Sequence, residues 1–179
     1  MTRGDHTGVV PPHRAILVEE LELPRRVRRQ AGELLGDQWG AAWRRTGYAG
    51  QHPPAFRALA FNGARRLIGH ASAFPLACAP DLHVFGIGDL VVKRRYRRAG
   101  VARAVCTALV GECSERRAHA VLVDTVDAAA VFAELGFSEP PGFTFYYETE
   151  LDCRRHRHWL MACTGRLPAP VQILEHGDF

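Results

Sequence analysis

Tyr96-Arg97-Arg98-Ala99-Gly100-Val101-Ala102-Arg103 stands between an apolar, strand-like segment at residues 83–92 and an amphipathic segment at 101–117. In the second segment Val101, Ala104, Val105, Ala108 and Leu109 recur on one helical face. A tight Gly-containing turn therefore delivers a strand into a helix N-terminus. The first N–H groups of such a helix have no internal partner, and the helix dipole adds positive potential there. That geometry is a ready anion site. The turn itself supplies Arg97, Arg98 and Arg103, with Lys93, Arg94 and Arg95 just upstream. It asks for a polyphosphate.

Outward from this turn the pattern is a mixed α/β order. Downstream, 120–123 is a short unbroken apolar run, as in a parallel strand covered on both faces. With 83–92 and the helix it makes a strand–helix–strand unit. A short helix is expected at 127–135, with Asp127 as N-cap and Gly136 as its left-handed stop. Residues 143–151 and 158–163 read as two more strands. Upstream, 15–23 is a strand ended by Pro24. Residues 25–35 are a helix with Val27, Ala31, Leu34 and Leu35 on one stripe, and 36–54 hold a second short helix and a loop. Strands 55–61 and 67–74 flank Asn62-Gly63-Ala64-Arg65-Arg66, a hairpin signal.

Composition sets the bounds. The chain has 179 residues, 47% of them hydrophobic, which is enough for one α/β domain with a real core. A formal charge of +4 and a pI near 9.0 are only mildly basic. They suit an anionic cofactor and do not by themselves exclude nucleic acid. Five cysteines without a Cys-x-x-Cys pair read as free thiols in a reducing cytoplasm. Residues 1–13 read as a flexible leader without the apolar core of a signal peptide, and no stretch approaches membrane-spanning length. Arg154-Arg155-His156-Arg157-His158 puts two histidines at i, i+2, but the surrounding arginines repel cations, so no metal is expected. No helix-turn-helix spacing or aromatic interleaving marks a nucleic-acid binder.

The order of elements, with this turn at its centre, resembles the GNAT superfamily of acetyl-CoA-dependent N-acetyltransferases. Arg97-Arg98-Ala99-Gly100-Val101-Ala102 fills every fixed place of that family's [Gln/Arg]-x-x-Gly-x-[Gly/Ala] signature. Downstream, Val131-Phe132-Ala133-Glu134-Leu135-Gly136-Phe137 is similar to its Leu-Tyr-x-x-x-Gly-Phe pattern. The resemblance covers 14–165, taken as the domain, and leaves 166–179 as a C-terminal tail placed to line the acceptor site. It implies a mainly antiparallel sheet of about seven strands. Strands 83–92 and 120–123 are then its central parallel pair, with helices flanking. It also implies acetyl-CoA as cosubstrate, without metal, and a small-molecule amine as acceptor, with no nucleic acid or membrane partner. A homodimer is one assembly open to it.

Physical chemistry agrees with the resemblance at the turn. A pyrophosphate needs several N–H donors converging in a small space, and bulky side chains block its approach. Gly100, Ala99, Val101 and Ala102 offer backbone N–H groups, and Arg97, Arg98 and Arg103 neutralise charge. The resemblance implies that the backbone of Leu90, Val91 and Val92 pairs with the pantetheine arm and supplies an oxyanion donor. Asp89 follows Gly88, where glycine in a strand often marks a bulge. It is the candidate to take the amine's proton, or else a structural acceptor at a strand kink.

One departure matters. Phe132 occupies the place where many relatives carry a tyrosine as general acid, and Thr125 stands where Asn is frequent. Water, Tyr146 or Tyr147 remain as proton sources, or catalysis is weak or absent. Glu175, Asp178 and Phe179 end the chain with three negative charges, counting the terminal carboxylate. This ending looks similar to that of aminoglycoside 2′-N-acetyltransferases and would attract an amine-rich acceptor. His52, Trp39, Trp43 and Tyr48 lie in the segment that usually covers that acceptor, although core packing is the plainer and favoured explanation of the tryptophans. The alternatives are a protein or peptide N-acetyltransferase and a catalytically degenerate CoA-binding sensor.

Overall fold

Alternation along one strand explains the layering. In β2 (Phe56–Phe61), Phe56, Ala58 and Ala60 turn to one face of the sheet, and Arg57 and Leu59 to the other; all five are buried. Such a strand must be covered on both faces. On the first face lies α3 (Val101–Glu115), whose Val101, Val105, Cys106, Leu109 and Cys113 share a core with Phe56, Ala58 and Ala60. On the second lies α1 (Arg25–Trp39), whose Ala31, Leu34 and Leu35 pack on Leu59. Burying each leucine contributes about 1.5–3 kcal/mol.

The computed structural model describes residues 14–46, 53–78, 82–125, 128–138, 144–146, 158–162 and 172–174. The remaining elements are β1 (Ala15–Glu19), a 3-10 turn (Glu20–Glu22), α2 (Ala41–Thr46), β3 (Leu67–Cys78), β4 (Val84–Val92), a second 3-10 turn (Arg94–Tyr96), β5 (Ala120–Asp124), α4 (Ala129–Glu134), β6 (Thr144–Tyr146), β7 (His158–Ala162) and β8 (Gln172–Leu174). Strand order is β1-β2-β3-β4-β5-β7, with β8 joining β3 to β6. β4 and β5 are parallel, as expected, and the other neighbours on the main path are antiparallel. Among the described residues no helix is long and apolar enough to cross a membrane.

Several boundaries correct the sequence reading. Among the described residues there are eight strands instead of about seven, because Gln172–Leu174, too short to show a period, pairs with the end of β3 and with β6. The first strand stops at Glu19 rather than at residue 23. Glu20 turns its carboxylate inward to Arg57, and the backbone curls into a 3-10 turn that leaves Leu21 99% exposed. Helix α1 continues past residue 35, because Gly36 lies against the Arg44 side chain, where α2 crosses closely. The stop is Gly40, whose φ of 104° with ψ of −175° is a backbone conformation open essentially to glycine. Strand β3 runs on to Cys78, with Pro75 paired to Phe85. The helix expected to reach residue 117 ends at Glu115, with Arg117 left-handed beyond it.

Close packing sets the height of α3. A Cβ at Gly69 would collide with the Val101 side chain, so the bare backbone of β3 lets the first turn of the helix settle onto the sheet. Position 69 pairs with Val92, the last residue of β4. The helix start and the strand end are thereby placed side by side.

Candidate active site

The parallel ladder between β4 and β5 ends at Ile87↔Val123. Beyond that pair the strands part, and a cavity of about 950 Å³ opens between them. Its walls include Gly88 to Val92 of β4, Val123 of β5 and Thr125 just after it, Arg97, Arg98 and Gly100 to Arg103 at the turn, and Phe132 from α4. Gln38, Trp39 and Trp43 close it from the end of α1 and from α2, the two indoles stacked at 4.8 Å.

The opening has a local cause. Between the pairs His70↔Val91 and Ser72↔Gly88, β4 carries one residue more than β3, which is a β-bulge. Asp89, not Gly88, takes the unusual conformation, at φ 56°. A non-glycine residue held there costs on the order of 1–2 kcal/mol. Asp89 is 6% exposed and lines the cavity. On its cavity side β4 has no β5 partner past Ile87, so an extended ligand can pair with the strand edge at Leu90 to Val92.

At the turn, Arg98 (φ 64°) and Gly100 (φ 76°) are both left-handed, and Gly100 caps α3. The first bond of the helix runs from the Ala104 N–H to the Gly100 carbonyl at 3.0 Å. The N–H groups of Val101, Ala102 and Arg103 precede it and face outward. Arg98 and Arg103 are exposed on the cavity wall. Arg97 also lines the cavity and makes two fixed bonds. Its Nε donates to the Val92 carbonyl (3.1 Å) and its Nη2 to Gln38 Oε1 (3.0 Å), so it braces the turn against α1. The Tyr96 hydroxyl accepts from Asn62 Nδ2 at 3.0 Å; that bond, with Arg95 and Lys93 nearby, lowers its pKa.

Phe132 is 1% exposed and meets Phe137 edge-on, with ring centroids 5.2 Å apart. The helical position that carries an acid in many relatives is thus filled by apolar packing. Thr125 Oγ1 accepts from the N–H of Ala128 (3.0 Å), the residue that precedes α4; Asp127, expected as the N-cap, lies outside the described residues. Also outside them are His52, Tyr48, Tyr147, the cluster 154–157, and Glu175, Asp178 and Phe179 of the tail. Cys106 and Cys113 are buried, and burial pushes the Cys106 thiol up to about 12.

Sequence reasoning missed a buried polar network beneath the bulge. Glu20 accepts from Arg57 Nε (2.5 Å) and pairs with Arg28 of α1. Arg57 Nη1 lies 3.1 Å from His70 Nε2, and His70 Nδ1 lies 3.0 Å from the Asp89 carbonyl. Arg57 and His70 are wholly buried. The available signal was a lone charged or titratable residue in each of two otherwise apolar strands. Burial, with the Arg57 charge beside it, lowers the His70 pKa from 6.5 to about 3. The folded value is depressed, so the stability it contributes is full above pH 6.5 and is lost as pH falls toward 3. Between pH 7 and 4.5 the native protein should lose about 2–3 kcal/mol more, by urea unfolding, than a His70→Asn variant. Equal losses would assign the acid sensitivity to other groups.

Comparisons with known proteins point the same way. No curated protein matches the sequence. Among solved structures, the fold resembles a GNAT family N-acetyltransferase (YhbS) from Escherichia coli in complex with CoA, at TM-score 0.66 and 17% identity over 90% of this chain and 91% of that one. It also resembles an aminoglycoside 6′-N-acetyltransferase complexed with coenzyme A (TM-score 0.63, 13% identity, 86% and 99% covered) and a GNAT acetyltransferase from Staphylococcus aureus Mu50 (0.59, 13%, 84% and 99%). The profile described as Acetyltransferase (GNAT) family matches residues 20–137, more than half of the sequence, and the chain belongs to that family.

Proposed function

We propose that this chain transfers an acetyl or other short acyl group from acetyl-CoA to a primary amine of a small cationic molecule by direct attack. The observation that carries this reading is one cavity bounded both by the bulge at Asp89 and by the open helix start at 101–103. Outward N–H groups, small side chains at Ala99, Gly100 and Ala102, and exposed Arg98 and Arg103 suit a pyrophosphate and a further phosphate. The free edge of β4 at Leu90, Val91 and Val92 suits the pantetheine arm. A backbone N–H there supplies the oxyanion donor when the amine attacks the thioester carbon and the C–S bond breaks.

The acceptor amine is a cation at neutral pH and must lose a proton before attack; Asp89 takes it, directly or through a water. With Phe132 buried among apolar groups, the departing thiolate draws its proton from solvent or leaves as the anion. The acidic tail, Glu175, Asp178 and Phe179, is assigned to attracting the cationic acceptor. Phe132 also favours a second reading, a CoA-binding sensor without turnover.

A thiol-release assay with acetyl-CoA against aminoglycosides, polyamines and peptides separates these readings. Release with a small polyamine or aminoglycoside is the expected result. Release with peptides alone would replace the acceptor class, and tight acetyl-CoA binding without release from any amine would favour the sensor.

A further inference from the structure

The buried network beneath the bulge has a direction. Its links come from four places in the chain: Glu20 in the turn before α1, Arg57 on β2, His70 on β3 and the Asp89 carbonyl on β4. A guanidinium only donates, so His70 Nε2, facing Arg57, must be an acceptor. The ring proton is therefore on Nδ1, and it is donated to the Asp89 carbonyl. Arg57 is itself oriented by the Glu20 carboxylate, which Arg28 of α1 also holds.

The last bond falls where the ladder loses register. His70 pairs with Val91, yet its ring reaches back to the carbonyl of Asp89, across the extra residue of β4. It grips the one peptide of that strand that follows a left-handed residue. Glu20, Arg57 and His70 do not line the cavity, whereas Asp89 does. Stability alone gives weak reason for such a chain, since apolar groups of similar shape commonly replace a buried ion pair without loss.

We propose that Glu20, Arg57 and His70 are positioning residues that lock the peptide after Asp89 and so aim the Asp89 carboxylate and the following N–H groups at the cavity. Their importance to catalysis rests on the acetyl-transfer reading above; their hold on the bulge does not.

The test compares His70→Leu, which keeps bulk without a donor, with His70→Asn, whose amide N–H falls near the place of Nδ1. In the wild type, nitrogen NMR should show an Nδ1-protonated ring that does not titrate between pH 5 and 8. In His70→Leu the amide resonances of Asp89 to Val91 should move. With the amine turned over best, kcat should drop about 10- to 100-fold, as expected for a reacting group misplaced by a fraction of an ångström to an ångström. Affinity for acetyl-CoA should fall much less than kcat, because the helix start is untouched even where the strand edge at Leu90 and Val91 shifts, and His70→Asn should recover most of kcat. An Nε2-protonated or titrating ring, an unchanged kcat in His70→Leu, or equal damage in both variants would each overturn the proposal. Should the wild type turn over no amine, the acetyl-transfer reading fails separately. The amide resonances then still decide, and their immobility in His70→Leu would sink the positioning chain.

Discussion

Replacing Gly100 by valine should weaken binding of acetyl-CoA and CoA at least about 100-fold, a loss of roughly 2.7 kcal/mol or more, while the fold survives. Gly100 sits at φ 76°, where a β-branched residue is strained by about 1–2 kcal/mol, and relief of that strain would tilt the first turn of α3. A Cβ at this position meets nothing within 4 Å. The protein itself therefore has room for the side chain, and the obstruction falls on whatever must approach the N–H groups of Val101, Ala102 and Arg103. Calorimetric titration with CoA measures the loss, and circular dichroism checks the fold. Gly100→Asn separates the two causes, since Asn accepts the left-handed conformation but still carries bulk. Undiminished binding in the valine variant would remove residues 97–103 from the phosphate assignment.

Asp89→Asn should lower kcat/KM by about 10²-fold or more, the range in which a lost general base falls. This substitution is a clean probe because Asn tolerates the left-handed φ of 56° as readily as Asp, and the bond from His70 goes to the backbone carbonyl, which remains. The loss should be greatest at the acidic end of the profile, where most of the amine is protonated and its deprotonation limits the rate. An unchanged pH–rate profile would leave Asp89 as a strand-kink residue only. A fall in rate without any change in acetyl-CoA affinity separates this role from that of Gly100.

The two substitutions probe parts of the site that were unequally legible. Arg97 to Ala102 could be read as a strand-to-helix turn because its physics is local. Small residues, a left-handed glycine and unpartnered N–H groups are properties of these consecutive residues. Gly88-Asp89 signalled a bulge, but which of the two residues carries the strain depends on register against His70 and Ser72. Arg97 shows the same limit. Its charge is evident in the chain, but its attachment to Val92 and Gln38 follows from where α1 ends, four residues beyond the last leucine of its apolar stripe.

The order of elements up to residue 163, the parallel pair around α3, the Gly100 turn into that helix and the apolar side chain at Phe132 are all legible in the chain. Each follows from periodicity or short-range sterics within one segment. Only the tertiary structure decided that β4 and β5 part after Ile87, that Trp39 and Trp43 wall the opening, and that Glu20, Arg57 and His70 join beneath Asp89. Those residues are separated by up to 69 positions, and a buried charge finds its partners through strand pairing and packing, which no local pattern encodes.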